Sequence, residues 1–129
     1  MRIHHIGVIV NNIQKSIEIY KKIKFTQISD IIYDDYQKIK VCFIMSKENN
    51  LRIELIESVS TDSSIHNFKE GYHHICYEVS SNNFIDEFKR LKIGKIFTKS
   101  LQATALNNRK VVFGCLNNKT FIEFLLKEN

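Results

Sequence analysis

Ile3-His4-His5-Ile6-Gly7-Val8-Ile9-Val10, near the start of the chain, and Tyr72-His73-His74-Ile75-Cys76-Tyr77-Glu78-Val79, in its second half, decide the fold. They align when residue numbers are shifted by 69, with His4-His5 on His73-His74 and Val10 on Val79. Self-similarity at a fixed offset marks a duplicated unit. Working outward, the same shift lays Arg52-Ile53-Glu54-Leu55 on Phe121-Ile122-Glu123-Phe124, so that 54 minus 5 and 123 minus 74 both give 49. Lys40-Val41-Cys42-Phe43 meets Lys110-Val111-Val112-Phe113 at a shift of 70, which needs one residue of slack in a loop.

After each His-His stretch the apolar spacing turns helical: Ile13, Ile17 and Tyr20, then Phe84, Phe88 and Leu91, each at i, i+4, i+7. Asn11 or Asn12, and Ser80 or Ser81, carry the side-chain oxygens that an N-cap uses. Gly94 stands where a glycine ends the second helix. Three strand-like runs follow in each half, around Thr26–Tyr33, Ile39–Met45 and Leu51–Glu57, and around Lys95–Leu101, Lys110–Cys115 and Thr120–Leu126. Asn49-Asn50 and Asn117-Asn118 supply the turns of the last hairpins. The expected architecture is α+β, with two tandem βαβββ modules. Module one covers about residues 1–57, a polar linker 58–71, with Ser64–Glu70 as a candidate short helix, and module two about 72–129. At 129 residues both modules belong to a single domain.

Side chains alternate along a strand. His4, Ile6, Val8 and Val10 therefore share the face expected beneath the first helix, and His5 points the other way with Gly7, where a ligand has room. In the second half His74 is the twin of His5. Glu54 sits between Ile53 and Leu55, and Glu123 between Ile122 and Phe124. A carboxylate turned inward in a strand is costly unless it is paired. Two imidazoles and two carboxylates related by the repeat would converge if the modules packed side by side as one curved sheet. His4 and His73 fit structural roles, His66 a surface position in the linker, and the cysteines small core or pocket hydrophobes.

The composition excludes several classes. With 43% hydrophobic residues and 14 aromatics (Phe 9, Tyr 5) the chain is globular. Lys+Arg 19 against Asp+Glu 14 gives +5, but the basic residues are scattered, with no run longer than a pair. That pattern predicts a solvated lysine surface and no nucleic-acid partner. Cys42, Cys76 and Cys115 have neither the number nor the spacing of a disulfide framework or zinc knuckle. Polar Asn11 interrupts the first apolar stretch, and no apolar run approaches the ~20 residues a membrane span requires. A soluble cytoplasmic protein with no membrane partner is expected.

At these residues the chain resembles the vicinal oxygen chelate superfamily, which includes glyoxalase I, methylmalonyl-CoA epimerase, extradiol dioxygenases and bleomycin-resistance proteins. The resemblance rests on His4-His5-Ile6-Gly7-Val8-Ile9-Val10, Arg52-Ile53-Glu54-Leu55-Ile56-Glu57, Gly71-Tyr72-His73-His74-Ile75-Cys76-Tyr77-Glu78-Val79 and Phe121-Ile122-Glu123-Phe124. The third segment, with Asp62-Ser63-Ser64-Ile65 before it, is most similar to methylmalonyl-CoA epimerase. The resemblance implies a cupped eight-stranded mixed sheet with helices on its outer face, commonly a homodimer. It also implies one divalent metal, such as Zn, Ni, Co, Mn or Fe, held by His5, Glu54, His74 and Glu123. Epimerases of this type have a Gly-Ala-His-Gly stretch where this chain has Ala105-Leu106-Asn107-Asn108, and a glutamate where the nearest equivalents are Tyr36, Asp35 and Asp34. Both departures predict that methylmalonyl-CoA is a poor substrate.

Such a ligand set leaves two positions for neighbouring oxygens of a small chelating substrate. The expected chemistry is proton transfer α to a carbonyl, by an isomerase or lyase of glyoxalase or epimerase type. Glu54 and Glu123 are the candidate acid/base residues, with Asp35 as an outer one. The alternatives are a metal-free small-molecule binding or resistance protein of the same fold and, behind it, an extradiol-type dioxygenase.

Overall fold

A computed structural model of the chain describes residues 1–97 and 99–128. They form two compact units, residues 5–73 and residues 1–4 with 74–129. The first unit is built from β1 (Arg2–Ile9), whose first residues are counted with the second unit, α1 (Ile13–Lys22), β2 (Phe25–Gln27), β3 (Ile32–Asp34), β4 (Ile39–Ser46) and β5 (Arg52–Ser58). Its strand order is β2-β4-β5-β1, with β3 also on β4. The second unit contains most of β6 (Gly71–Glu78), then α2 (Phe84–Leu91), β7 (Gly94–Ile96), β8 (Leu101–Ala103), β9 (Arg109–Leu116) and β10 (Phe121–Leu125), ordered β6-β10-β9-β7 with β8 on β9. In each unit one parallel pair, β1 with β5 or β6 with β10, stands beside antiparallel ones.

The 69-residue offset persists in the hydrogen bonding. Ile6 faces Ile53 as Ile75 faces Ile122, and Gly7 faces Glu54 as Cys76 faces Glu123. The Val10 N–H donates to the Ile56 carbonyl at 2.8 Å, and the Val79 N–H to the Leu125 carbonyl at 3.0 Å. Asn49 Oδ1 accepts from the Leu51 N–H and Asn118 Oδ1 from the Thr120 N–H, each followed by a left-handed residue, Asn50 or Lys119.

Alternation places the apolar half of each strand under a helix. Ile6, Val8 and Val10 meet Ile13 and Ile17 of α1, with Cys42, Ile44, Ile53 and Leu55 completing the cluster. In the second unit Val79, Val112, Ile122 and Phe124 pack with Phe88 of α2, joined by Phe84 and Ile85. Each fully buried aliphatic or phenyl side chain contributes about 1.5–3 kcal/mol of transfer free energy. These two clusters fix which face of each unit is left for polar groups.

Several local expectations change. There are ten strands among the described residues instead of eight. The expected Thr26–Tyr33 run splits into β2 and β3 because Ser29 Oγ takes the Phe43 N–H at 2.8 Å and itself donates to the Asp30 carbonyl, replacing a ladder bond. The Lys95–Leu101 run appears as β7 and β8, and Thr98 inside it lies outside the described residues. Asn12 caps α1 as expected, accepting from the Lys15 N–H at 2.9 Å. In the second module Ser81 Oγ instead takes the Asn83 N–H, so α2 starts later, after Asn83. The linker stretch Ser64–Glu70 forms turns and no helix, with Ser60 and Ser63 hydroxyls claiming the Asp62 and Ile65 N–H groups that a helix would use.

Gly94 does not cap α2. Lys92 does, at φ 55. Gly94 opposes Leu116 across the β7–β9 ladder, where an added Cβ would clash with the Cys115 carbonyl oxygen. Lysine in the left-handed region carries a steric cost that glycine lacks, partly offset by glycine's larger unfolded-state entropy. A left-handed cost of about 1–2 kcal/mol less about 0.5–1 kcal/mol of glycine entropy means that Lys92→Gly should stabilise the protein by about 0.5–1 kcal/mol. A lower or unchanged denaturation midpoint in urea would refute this account of the cap.

Glu78, at the end of β6, accepts from Arg2 and from Arg109, each at 2.9 Å. These two guanidinium groups, Arg2 first, hold its carboxyl down at about 2. A depressed carboxyl contributes stability above its unfolded-state value and loses it as pH falls through the folded one. Glu78→Gln should lower the melting temperature at pH 7 by the equivalent of about 1 kcal/mol or less, because the largely exposed Arg2 is screened by solvent. The two proteins should converge as pH approaches 2, and equal melting temperatures at pH 7 would remove this pair from the stability account.

Candidate metal centre

In the first unit β1 delivers His5 and β5 delivers Glu54 to the face opposite α1. Parallel register sets Gly7 beside Glu54, leaving His5 two residues back on the same face. His5 Nε2 stands 3.6 Å from Glu54 Oε1, and the Phe43 ring meets the imidazole edge-on with centroids 5.3 Å apart. The second unit repeats this group with Cys76 beside Glu123, His74 Nε2 at 3.2 Å from Glu123 Oε1, and Phe113 edge-on to His74 at 5.7 Å. Relative exposures are 0% for His5, 9% for Glu54, 5% for His74 and 4% for Glu123. Carboxylates are rarely buried to this degree without compensation.

His4 is half-buried, His73 packs edge-on against Phe68, and His66 is exposed. Asp35 occupies the turn after β3, exposed and paired with Lys38 at 3.0 Å, whose ammonium lowers its carboxyl pKa. Its neighbour Asp34 is buried and accepts from the Gln37 backbone and side-chain N–H groups. Burial pushes the Cys42 thiol pKa up, as befits a core residue. Sequence reasoning missed Phe43 and Phe113 as ring neighbours of the histidines, although the 40–43 and 110–113 match already contained both. It also missed Glu57, which accepts the Ile13 N–H at 2.7 Å at the start of α1. Glu57 lines a cavity of ≈ 360 Å³ in the first unit with Val10, Ser60, His66 and Phe68, and neither His5 nor Glu54 borders it.

The profile of the Glyoxalase/Bleomycin resistance protein/Dioxygenase superfamily matches residues 4–113, a stretch containing His5, Glu54 and His74 and ending before Glu123. The chain belongs to that superfamily. It is 30% identical to human mitochondrial methylmalonyl-CoA epimerase over 98 residues, which are 71% of this chain and 54% of the relative. The chain thus spans about half the length of that curated relative. A hypothetical protein from Bacillus halodurans C-125 shares the fold at a TM-score of 0.82 and 21% identity, covering 99% of this chain and 95% of its own. Methylmalonyl-CoA epimerase from Mycobacterium tuberculosis gives 0.81 and 18%, covering 99% and 89%. A variant Streptomyces coelicolor methylmalonyl-CoA epimerase, in complex with 2-nitronate-propionyl-CoA, gives 0.79 and 16%, covering 100% and 99%. The expected α+β glyoxalase-like fold is therefore the observed one.

The donors in each unit fit a divalent cation. Two ligand atoms about 2.1 Å from an ion, separated by about 90–110°, stand about 3.0–3.4 Å apart, close to the 3.2 and 3.6 Å found here. A separation of 3.6 Å is too long for a hydrogen bond, so the His5–Glu54 spacing suits shared coordination better. Elemental analysis of purified protein should find bound divalent metal, and His5→Ala and His74→Ala should each retain less of it than the wild type. Stoichiometric metal retained in both variants would overturn these ligands.

Proposed function

We propose that the protein is a divalent-metal-dependent isomerase or lyase that moves a proton on the carbon beside a carbonyl of a small chelating substrate. The observation that carries this reading is the repeated imidazole–carboxylate pair, buried in both units with one register and one aromatic neighbour. His5, Glu54, His74 and Glu123 are assigned as the ligands of a single ion. When bound, that ion supplies Lewis acidity toward the substrate's paired oxygens and acidifies the adjacent C–H. Glu123 is assigned as the base that takes this proton, and Glu54 as the acid that returns one. Their burial strengthens the local electrostatics that such a transfer depends on. Asp35 ranks third, because its Lys38 partner keeps the carboxyl ionised and weakly basic.

The similar epimerases point to acyl-CoA thioesters as the first substrates to test, since the solved structures include one with methylmalonyl-CoA itself. The loss of the Gly-Ala-His-Gly stretch at Ala105–Asn108 and of a glutamate near Tyr36 favours a different chelating substrate. A homodimer in a reducing cytoplasm, acting on small molecules and not on nucleic acid, completes the proposal. Among the described residues no helix is long and apolar enough to cross a membrane.

Deuterium incorporation from D2O into hydroxy-carbonyl, hemithioacetal and methylmalonyl-type compounds tests the reaction. Exchange should occur in at least one class, fall by about 10²–10⁴-fold in Glu123→Gln, and survive largely in Asp35→Asn. Methylmalonyl-CoA should exchange slowly. Tight binding with no exchange across the panel would replace the catalytic reading with sequestration.

A further inference from the structure

The second unit carries three near-parallel phenyl rings on the face that holds His74 and Glu123. Phe97 and Phe121 have centroids 6.0 Å apart with planes at 22°, and Phe121 and Phe113 are 5.7 Å apart at 17°. His74 stands edge-on to Phe113 and to Phe121, at 5.7 and 6.5 Å. The register accounts for the shared face: Phe113 opposes Glu123 across β9 and β10, and the Phe97 N–H donates to the Phe113 carbonyl at 2.8 Å. The row runs outward from a buried polar pair, through half-buried Phe113 and Phe121, to Phe97, which is 55% exposed.

The fold does not require these rings. In the first unit the Ile28 N–H donates to the Phe43 carbonyl at 2.9 Å, the bond made by Phe97 in the second, and exposed Arg52 occupies the position matching Phe121. The same ladder therefore forms with an isoleucine and an arginine. A row of phenyl rings running from a buried polar pair out to solvent matches the make-up of ligand pockets, where apolar walls surround a few placed polar groups.

Resting on the chelation reading above, we propose that Phe97, Phe121 and Phe113 are specificity-determining residues that receive a flat aryl or conjugated group attached beside the substrate's chelating oxygens. Parallel rings reward a planar group with offset stacking beyond simple burial, a gain that a methyl group or a sugar does not obtain. The substrate class is thus an α-hydroxy acid, or its ester, bearing an aryl or conjugated substituent on the carbon that carries the transferable proton.

Mandelate and lactate share an α-hydroxycarboxylate and differ by phenyl against methyl, so calorimetric titration of both into metal-loaded protein isolates the wall. Mandelate should bind about tenfold or more tightly than lactate. Phe97→Ala and Phe121→Leu should bring the two affinities together by weakening mandelate. Equal affinities in the wild type, a preference surviving in both variants, or no binding of either acid by metal-loaded protein would overturn the wall and leave the metal assignment standing. If the protein holds no metal, the chelation reading fails by itself. The wall then stands or falls on nuclear Overhauser contacts between mandelate ring protons and those of Phe97 and Phe121 in the metal-free protein.

Discussion

A carboxylate buried in the middle of a strand is the constraint around which each unit is arranged. Glu54 lies between Ile53 and Leu55, Glu123 between Ile122 and Phe124, and the flanking residues are committed to the helix-packed cores. Alternation then forces the carboxylates to the other face. Uncompensated, such burial costs several kcal/mol. The parallel pairing of β1 with β5 and of β6 with β10 supplies compensation by placing a histidine two residues along on the same face. A register slip of one residue would turn the imidazole toward the helix and strand the carboxylate. Hydrophobic packing and the polar pair therefore select the same register independently, which is how a short strand can be specified without ambiguity.

Much of this was legible in the sequence because it is local or periodic. The 69-residue offset, the helical stripes and the alternation around His5, Glu54, His74 and Glu123 depend only on spacing, and the structure reproduces them. What was not legible depends on hydroxyl and backbone competition. Ser29 breaks the Thr26–Tyr33 run by capturing the Phe43 N–H, a partner 14 residues away that no local pattern identifies. Ser81 looks like an N-cap but spends its hydroxyl on a turn before α2. Gly94 resembles a helix terminator, yet it is required by the approach of the Cys115 carbonyl, a contact fixed only when β7 pairs with β9.

The two modules show which positions the duplication holds and which it leaves open. Backbone ladders, the left-handed residues of the last hairpin turns and the imidazole–carboxylate–phenyl groups recur in both modules. Removing the imidazole in one module would take from the buried carboxylate the partner that register places beside it. Positions on the same polar face but nearer solvent have diverged: Ile28 against Phe97, Arg52 against Phe121. These side chains take no part in either apolar cluster, and substituting the exposed ones, Ile28, Phe97 and Arg52, costs little folding free energy. Their variation is therefore available to binding in a way that His5, Glu54, His74 and Glu123 are not.

That separation bears on how a single fold can serve several chemistries. If the invariant pairs set what the site can hold and the free positions set what fits beside it, substrate preference changes by exposed substitutions that leave stability almost untouched. In this chain the second module has used that freedom to extend an aromatic surface from a half-buried ring beside His74 out to solvent. The first module kept Phe43 buried, with an aliphatic and a cationic residue in the matching places. An asymmetry of this kind in an otherwise faithful repeat has no source in the folding constraints described above, which act on both modules alike. Its physical effect falls on whatever molecule meets that face.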